Sequence, residues 1–200
     1  FQPDMLKLYP TLLVKGSPLS RNPGDFVPYD TETAANVVAD LKEIVPPYVR
    51  IQRIQRDIPK PQIIAGVMNS NLRQYARKEL KRRGKKCKCI NCRELWRAWI
   101  DPSTAELKEI EYKSSGGIEY FVSYESGSKL LAYLRLRLDD NATVRELKVT
   151  GQAADIGKTG SGVQHMGLGS KLMKIAEEKS KDYDKIRVTH GAGTRIYYEK

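Results

Sequence analysis

Hydrophobic and polar positions in the first third of the chain follow the order strand, helix, strand. Residues 11–15 (TLLVK) form an apolar run that predicts a buried strand, and a loop rich in Pro, Gly, Asn and Asp follows. Asp30 or Thr31 can then cap a helix that Pro46 and Pro47 end. Its apolar stripe consists of Val37, Val38, Leu41, Ile44 and Val45. In YVRIQRIQRDIP, a second strand would bury Val49, Ile51 and Ile54. This order is typical of a parallel α/β fold.

A second helical pattern covers LRQYARKELKRR and runs into a strongly basic segment. Asn69 or Ser70 can cap this helix, and Gly84 ends it as a left-handed cap would. Its predicted buried stripe is Leu72, Tyr75, Ala76 and Leu80. Between Arg73 and Lys88 the sequence has nine Lys or Arg and one Glu, so partners of opposite charge are nearly absent from it. The run favours contact with phosphate groups over an ordinary solvated helix face.

The second half of the chain is predicted to form antiparallel strands, then a strand, a helix, a strand and a helix. Three strands are expected at IEYFVSYE, KLLAYLRLRLDD and TVRELKVTG, with turns at SGSK and DDNAT. In the middle strand, Arg135 and Arg137 alternate with leucines, which predicts a strand with one face exposed. The following helix has its stripe at Leu168, Leu172, Ile175, Ala176 and Lys179. The strand KIRVT and a helix beginning in GTRIYYEK complete an α+β pattern.

Composition adds a strong positive charge to this picture. The 200 residues include 35 Lys and Arg against 24 Asp and Glu, a formal net charge of +11. This excess indicates an anionic partner, either nucleic acid or an anionic cofactor, and solubility alone is the alternative explanation. The predicted phosphate-binding surface, which we call the basic front, comprises Arg50, Arg53, Arg56, Arg73, Arg77, Lys78, Lys81, Arg82, Arg83, Lys85 and Lys86. No apolar run approaches the ~20 residues of a membrane helix, so no membrane partner is expected.

Three cysteines, Cys87, Cys89 and Cys92, stand together in KKCKCINCRE, and the chain has no others. A short loop can direct three thiolates at one metal ion, and neighbouring lysines help to keep the thiols deprotonated. Zinc fits this C-x-C-x-x-C spacing better than an iron–sulfur cluster does, and three unrelated thiols are the alternative. The fourth zinc ligand would be His165, His190 or a residue outside the chain. Reduced cysteines of this kind favour a cytoplasmic location.

The stretch VQHMGLGSKLM has two glycines just before a predicted helix. Helix N-termini offer N–H groups and a positive dipole end to phosphate, and glycine lets a ligand approach closely. A G-x-G alone is a weak signal, and a glycine-rich turn without a ligand is the alternative. No Gly-Lys-Ser/Thr follows, so a Walker motif is excluded, and Leu172 stands where a dinucleotide fingerprint needs Gly or Ala.

The order of strand, Q-x-x-G-x-G and helix resembles motif A of the GNAT acetyltransferases. The resemblance implies that backbone groups hold the pyrophosphate of acetyl-CoA at Gln164, His165, Gly167, Leu168, Gly169 and Ser170. It implies a preceding strand that splays from its neighbour and pairs with pantetheine through Glu146, Leu147, Lys148 and Val149. Tyr197 and Tyr198 fall where such enzymes place a general acid near the thioester, and Tyr198 would also contact the cofactor. One packed and one exposed ring on an amphipathic helix is the alternative.

Three stretches together resemble the family of Elongator catalytic subunits, in an archaeal-type sequence: YVRIQRIQRDIP, KKCKCINCRE, and SSGGIEYFVSYE through GTRIYYEK. The similarity runs along essentially the whole chain. It implies the C-terminal part of a radical SAM partial barrel with a basic extension (1–85), a zinc-binding loop (86–95) and a GNAT-like domain (96–200). In that family, acetyl-CoA supplies a carboxymethyl group to the wobble uridine of tRNA, activated by a 5′-deoxyadenosyl radical. Other Elongator subunits or a second copy of the chain are the implied protein partners.

This sequence departs from the family pattern at both ends. The family's cysteine motif for a 4Fe–4S cluster is not in this chain, so the cluster and S-adenosylmethionine are expected only in a longer protein. The family continues beyond the tyrosine pair, so the acetyltransferase domain is expected to be truncated at its end. The opening LKLYPTLLVKGSPL reads like the last strand of a larger fold, which agrees with a fragment. We expect such a fragment to be inactive in the complete reaction.

Three functions remain open from the sequence. The first is a tRNA uridine(34) acetyltransferase that uses acetyl-CoA. The second is a protein lysine acetyltransferase, which needs a base near the substrate amine, and Glu119 and Glu125 in the strand region could serve. The third is a zinc-stabilised RNA-binding module without chemistry.

Overall fold

A computed structural model of the chain describes residues 1–95, 100–151 and 167–199, which form two units that divide at Arg93. The strands of the first unit are β1 (Met5–Leu8), β2 (Leu13–Val14), β3 (Arg50–Ile54) and β4 (Ile63–Ala65). β1 and β3 are parallel, and β2 and β4 are antiparallel. A parallel strand–helix–strand unit is present, but its first strand is β1 and not the predicted segment 11–15, which pairs antiparallel with β4 instead. The buried strand predicted over residues 11–15 is reduced to two half-buried residues.

The helices of the first unit are α1 (Pro18–Arg21), α2 (Thr31–Ile44), α3 (Leu72–Arg82) and α4 (Ile90–Arg93). α2 begins where predicted, because the Asp30 carboxylate accepts a hydrogen bond from the Thr33 N–H at 2.7 Å. α3 ends where predicted, because Gly84 has a φ of +66° and lets the Lys85 N–H reach the Leu80 carbonyl at 2.9 Å. Among the described residues, no helix is both long and apolar enough to cross a membrane.

The buried face of α2 differs from the predicted one. The buried residues are Ala34, Ala35, Val38, Ala39 and Lys42. Val37 and Leu41 are each 37% exposed and Ile44 is 77% exposed, although all three belong to the predicted stripe. α2 packs against α3, and small alanines allow that close approach where larger side chains would not fit. On α3, Leu72, Ala76 and Leu80 are buried as predicted.

The second unit is built on a five-stranded sheet of order β5-β6-β7-β8-β9. The strands are β5 (Glu106–Ser114), β6 (Gly117–Ser126), β7 (Lys129–Leu138), β8 (Ala142–Val149) and β9 (Ile186–Val188). All neighbours are antiparallel except β8 and β9, which are parallel. Two helices accompany the sheet, α5 (Leu168–Lys179) and α6 (Arg195–Tyr198). The sequence predicted every one of these elements except β5.

The two faces of this sheet differ in chemistry. One face packs against α5 through an apolar core that includes Leu134, Leu136, Val144, Leu168, Leu172 and Ala176. The other face is charged and aromatic. Arg135 is only 1% exposed there, donates to Glu146 at 2.9 Å, and lies 5.3 Å from the Phe121 ring centroid. The prediction that β7 exposes its arginine face is therefore wrong at Arg135, because a carboxylate and an aromatic ring enclose the guanidinium.

Candidate cofactor site and metal centre

The sheet of the second unit opens between β8 and β9. The two strands are in register at Ala142, Thr143 and Val144, and the Thr189 N–H donates to the Val144 carbonyl at 2.9 Å. β8 continues to Val149 along β7, without a strand on its other edge among the described residues. Within the described ranges, the backbone N–H and C=O groups of that edge beyond Val144 have no strand partner and could pair with an extended ligand. This opening agrees with the splayed strand that the GNAT resemblance implies, and its pairing with pantetheine stays a prediction.

The side chains of this splayed stretch are already engaged within the unit. Glu146 accepts hydrogen bonds from Tyr133 and Arg135, and the Lys148 ammonium lies 2.8 Å from Glu94. Leu147 and Val149 pack against the apolar core. Recognition along β8 would therefore rely on main-chain groups.

The N-terminus of α5 lacks a side-chain cap. Its N-cap, Gly167, has a φ of +67° in the left-handed region, which favours glycine. The first intrahelical bond runs from the Lys171 N–H to the Gly167 carbonyl at 3.0 Å. The N–H groups of Leu168, Gly169 and Ser170 consequently have no intrahelical acceptor, and with the helix dipole they form an anion-binding end.

Gly169 brings the tyrosine pair to this helix end. A Cβ atom at Gly169 would lie 2.9 Å from the Tyr197 Oη and 3.7 Å from the Val149 Cγ2. The Tyr197 hydroxyl thus lies directly against the first turn of α5. The structure brings together three predicted features: the glycine turn, β8 and the tyrosines. Gln164 and His165 lie outside the described residues.

Tyr198 is half-buried between two neighbouring rings. Its ring lies 4.9 Å from the Tyr197 ring, edge to face, and 5.5 Å from the His190 ring. Burial, and secondarily the neighbouring Tyr197, raise the pKa of Tyr198 above its ordinary value of 10.0. Tyr198 therefore keeps its proton at neutral pH. Sequence reasoning considered His190 only as a metal ligand, although its position just after β9 was a signal that it would face this site.

The three cysteines form a compact cluster at the end of the first unit. Their Sγ atoms all lie within 4.8 Å of one another. The loop is held by hydrogen bonds from the Ile90 N–H to the Val49 carbonyl and from the Cys92 N–H to the Cys89 carbonyl, both 3.0 Å. Zinc–sulfur bonds of ~2.3 Å place tetrahedral thiolates ~3.8 Å apart, so a small contraction would accommodate the ion. Three soft donors at this separation fit zinc.

The cysteines differ in their electrostatic surroundings. The thiols of Cys87 and Cys89 donate hydrogen bonds to Cys92, and together with Lys42 they lower the pKa of Cys92. The pKa of Cys87 is raised because its thiol donates to Cys89 and Cys92. Within the described residues no histidine or carboxylate joins the three sulfurs. His190, one predicted fourth ligand, lies against Tyr198, and His165, the other, lies outside the described residues.

Part of the basic front has a structural role. Arg73 donates to the backbone carbonyls of Ile51 and Gln52 at 3.3 and 3.1 Å. Arg82 makes two hydrogen bonds to Glu79, at 2.8 and 2.6 Å. Arg83 donates to Glu79 and to three residues of α2, Asn36, Asp40 and Glu43. The expectation that this run lacks partners of opposite charge is therefore wrong, because α2 supplies carboxylates from far along the sequence.

The remaining basic residues fall into two groups. Three lie at or after β3: Arg50 is half-buried, Arg53 pairs with Asp57 at 2.8 Å, and Arg56 stacks on the Tyr9 ring at 5.4 Å. The other group is exposed on and after α3 and has no carboxylate partner in the part of the chain that is described: Arg77, Lys78, Lys81, Lys85 and Lys86. We call these five the exposed cations. They are the part of the basic front that remains available to phosphate.

Both predicted bases for a lysine substrate are occupied by internal partners. Glu119 accepts hydrogen bonds from Arg137 at 2.9 Å and from Arg145 at 2.8 Å. Glu125 accepts from Arg93, from Ser123 at 3.0 Å and from Lys108 at 3.4 Å. Donors already surround both carboxylates, so neither is open to a substrate amine.

Known proteins resemble the chain along its whole length. The Radical_SAM C-terminal domain family matches residues 3–82. The whole chain is 40% identical to the tRNA uridine(34) acetyltransferase of Methanocaldococcus jannaschii and 36% identical to Elongator complex protein 3 of Homo sapiens. It covers 42% and 41% of these two proteins, so it spans less than half of their length.

A solved structure agrees along the whole chain as well. Archaeal Elp3 from Methanocaldococcus infernus, with residues 1–46 deleted, superposes with a TM-score of 0.88 at 38% identity. The match covers 100% of this chain and 53% of that one. It confirms a mixed α/β fold that corresponds to the C-terminal part of Elp3. The chain therefore belongs to the family of tRNA uridine(34) acetyltransferases and Elongator complex protein 3.

Proposed function

We propose that the chain carries the acetyl-CoA-binding and tRNA-binding parts of a tRNA uridine(34) acetyltransferase. The observation that carries this proposal is the opening between β8 and β9 beside the uncapped N-terminus of α5. An extended ligand with an anionic end fits an arrangement of strand edge and helix terminus. The M. jannaschii relative is a tRNA uridine(34) acetyltransferase, which supports the choice of acetyl-CoA and tRNA.

The residues of this site have distinct roles in the proposal. The N–H groups of Leu168, Gly169 and Ser170 would bind the pyrophosphate, with Gly167 forming the turn and Gln164 and His165 contributing as the GNAT resemblance implies. The backbone from Glu146 to Val149 would pair with the pantetheine amides. When bound, acetyl-CoA supplies an acyl group activated as a thioester.

Tyr198 is the proposed proton donor. A tyrosine hydroxyl is protonated at neutral pH, so Tyr198 has a proton to deliver to a departing thiolate. The Tyr197 hydroxyl, which lies against Gly169, would instead contact the cofactor near the helix end. This division separates two roles that the sequence left to both tyrosines together.

Cys87, Cys89 and Cys92 would hold one zinc ion with a structural role. Their spacing and soft donor atoms support this choice, and the loop that they close follows α3 directly. A 4Fe–4S cluster and S-adenosylmethionine would belong to a longer form of the protein, as the radical SAM family match of residues 3–82 supports.

The exposed cations Arg77, Lys78, Lys81, Lys85 and Lys86 would contact the tRNA backbone. A protein lysine acetyltransferase is the alternative function. It is disfavoured because Glu119 and Glu125 are enclosed by arginine, lysine and serine donors.

One assay separates these functions: hydrolysis of acetyl-CoA with tRNA, with a histone-like peptide, and with neither. We expect tRNA to stimulate hydrolysis and the peptide to leave it at the basal rate. Stimulation by the peptide alone would reverse the ranking. Binding of tRNA without any hydrolysis would instead support a zinc-stabilised RNA-binding module.

A further inference from the structure

Lys42 is a fully buried lysine on the apolar face of α2. It is 0% exposed, and its neighbours on that face are Val38 and Ala39. A buried ammonium is strongly unfavourable unless a negative partner compensates for the lost hydration. The sequence pattern offers no reason for a lysine at this position, so its partner must explain it.

The partner is a cysteine of the metal cluster. The Lys42 Nζ donates a hydrogen bond to the Cys92 Sγ at 3.4 Å, across 50 positions of sequence. No carboxylate in the described part of the chain lies within ion-pair distance of this ammonium, and its neighbour Glu43 is committed to Arg83. A neutral thiol is a weak acceptor, whereas a thiolate supplies the negative charge that a buried ammonium requires.

We propose that Lys42 is a positioning and charge-balancing residue of the zinc site, acting through the Cys92 thiolate. A zinc ion bound by three thiolates carries one net negative charge, and the Lys42 ammonium neutralises it in a buried setting. The balance favours a neutral fourth ligand, since a further thiolate would leave the site negative. The hydrogen bond also attaches α2 to the cysteine loop, so metal binding stabilises α2 as well as the loop.

Two consequences follow for Cys92. Donation from an ammonium withdraws electron density from the sulfur, which makes the metal-bound thiolate less reactive toward electrophiles. It also retains the ion, because hydrogen-bond partners of ligands typically contribute about 10- to 100-fold in metal affinity. The Lys42 ammonium donates to Cys92 and not to Cys87, although the two thiols are similarly half-buried.

The test replaces Lys42 by methionine, which has a similar length and no charge. We expect Lys42→Met to fold, because an apolar side chain suits the buried face, and to bind zinc about 10- to 100-fold more weakly in competition with a chromophoric chelator. The matched control is Lys60→Met, which removes an exposed lysine of the same unit and should leave zinc affinity unchanged. Zinc affinity of Lys42→Met within about twofold of the parent chain, with circular dichroism unchanged, would overturn the proposal.

A second measurement compares two cysteines within the same chain. In the zinc-loaded parent chain, N-ethylmaleimide followed by peptide mapping should label Cys92 more slowly than Cys87, and Lys42→Met should remove that difference. Equal labelling of the two in the parent chain would contradict the assigned contact. The inference rests on the proposal that the cysteines bind zinc. Metal analysis of the purified chain distinguishes failure of the zinc proposal from failure of the Lys42 proposal. Absence of stoichiometric zinc refutes the metal proposal. Bound zinc with the same affinity in the parent chain and in Lys42→Met refutes only the role of Lys42.

Discussion

At the scale of single residues, different physical constraints favour glycine at the two glycine positions at the start of α5. Gly167 is required by its φ of +67°, and a Cβ there would meet nothing within 4 Å. At Gly169 the constraint is proximity, because a Cβ would lie 2.9 Å from the Tyr197 hydroxyl and that side chain would have to move. The first glycine shapes the turn and the second admits a tyrosine to it, so only substitutions at the second should disturb the tyrosine pair.

Replacing Gly169 by valine should therefore weaken acetyl-CoA binding. The new side chain would displace Tyr197 and press on Val149, and overpacking of this kind typically costs about 1–3 kcal/mol. We expect an affinity loss of about tenfold or more by isothermal titration calorimetry. Gly193→Val is the matched control, since nothing lies within 4 Å of a Cβ at Gly193. Equal affinity of the two variants would rule out Tyr197 as part of the binding site.

Tyr198 should act on turnover, whereas Tyr197 should act on binding. Tyr198→Phe removes the proposed proton donor, and we expect kcat for acetyl-CoA hydrolysis to fall roughly 100-fold with little change in KM. Because burial raises the pKa of Tyr198 above 10.0, its acid form should persist into alkaline solution and hold the parent rate there. Tyr197→Phe is the comparison, with a raised KM and a nearly unchanged kcat. The reverse pattern would exchange the two roles.

At the scale of elements, α2 and α3 are connected by a network of charges around Glu79. Its carboxylate accepts hydrogen bonds from Arg82 and Arg83, and Arg83 reaches across to Asp40 and Glu43 of α2. These contacts lower the pKa of Glu79 from 4.5 to about 2. The folded state therefore favours the charged carboxylate more than the unfolded state does.

This linkage predicts a defined loss of stability in acid. The contribution of Glu79 is fully present above about pH 4.5 and is lost as the pH falls toward 2. Glu79→Gln should be less stable than the parent chain at neutral pH, and the difference should shrink through that window. Urea unfolding at a series of pH values measures it, with the exposed Glu178→Gln as control. A difference that is independent of pH would show that Glu79 contributes by packing alone.

The elements also show which features a sequence can predict. The start of α2 and the end of α3 follow from local chemistry at Asp30 and Gly84, which act on backbone groups a few residues away. The start of α3 does not follow, because its N-cap is Asn71 and not the predicted Asn69 or Ser70. The buried faces do not follow, because they depend on partners from distant parts of the chain. Hydrophobic spacing therefore assigned Ile44 to the core and overlooked Lys42, whose partner Cys92 lies 50 positions away.

The candidate site divides along the same line. The cysteine cluster, the glycine pair and the tyrosine pair could be singled out as candidate site residues because the members of each lie close together in sequence. The order of elements then predicted a strand before the glycines and a helix after them. Arg135 was expected in solvent because its strand alternates, yet Glu146 and Phe121 enclose it from two other strands. β5 was missed because its alternating charges and scattered apolar residues resemble a solvated segment.

At the scale of the whole molecule, the basic residues behind the net charge of +11 serve two different purposes. Arg73, Arg82 and Arg83 stabilise the first unit, whereas the exposed cations have no carboxylate partner among the described residues. A neutralising mutation in the first group would confuse loss of folding with loss of binding. A test of RNA contact must therefore use the second group.

The triple variant Arg77→Ala, Lys81→Ala, Lys85→Ala should weaken tRNA binding and leave basal acetyl-CoA hydrolysis unchanged. Each lost phosphate contact should lower the slope of log affinity against log salt by about one, because fewer counterions are released. Filter binding at several salt concentrations measures the slope. The control variant Lys174→Ala, Lys181→Ala, Lys185→Ala removes the same charge from exposed positions of the second unit. If the two variants lose affinity and slope equally, overall charge attracts tRNA. If only the first does, the cations on and after α3 form the contact surface.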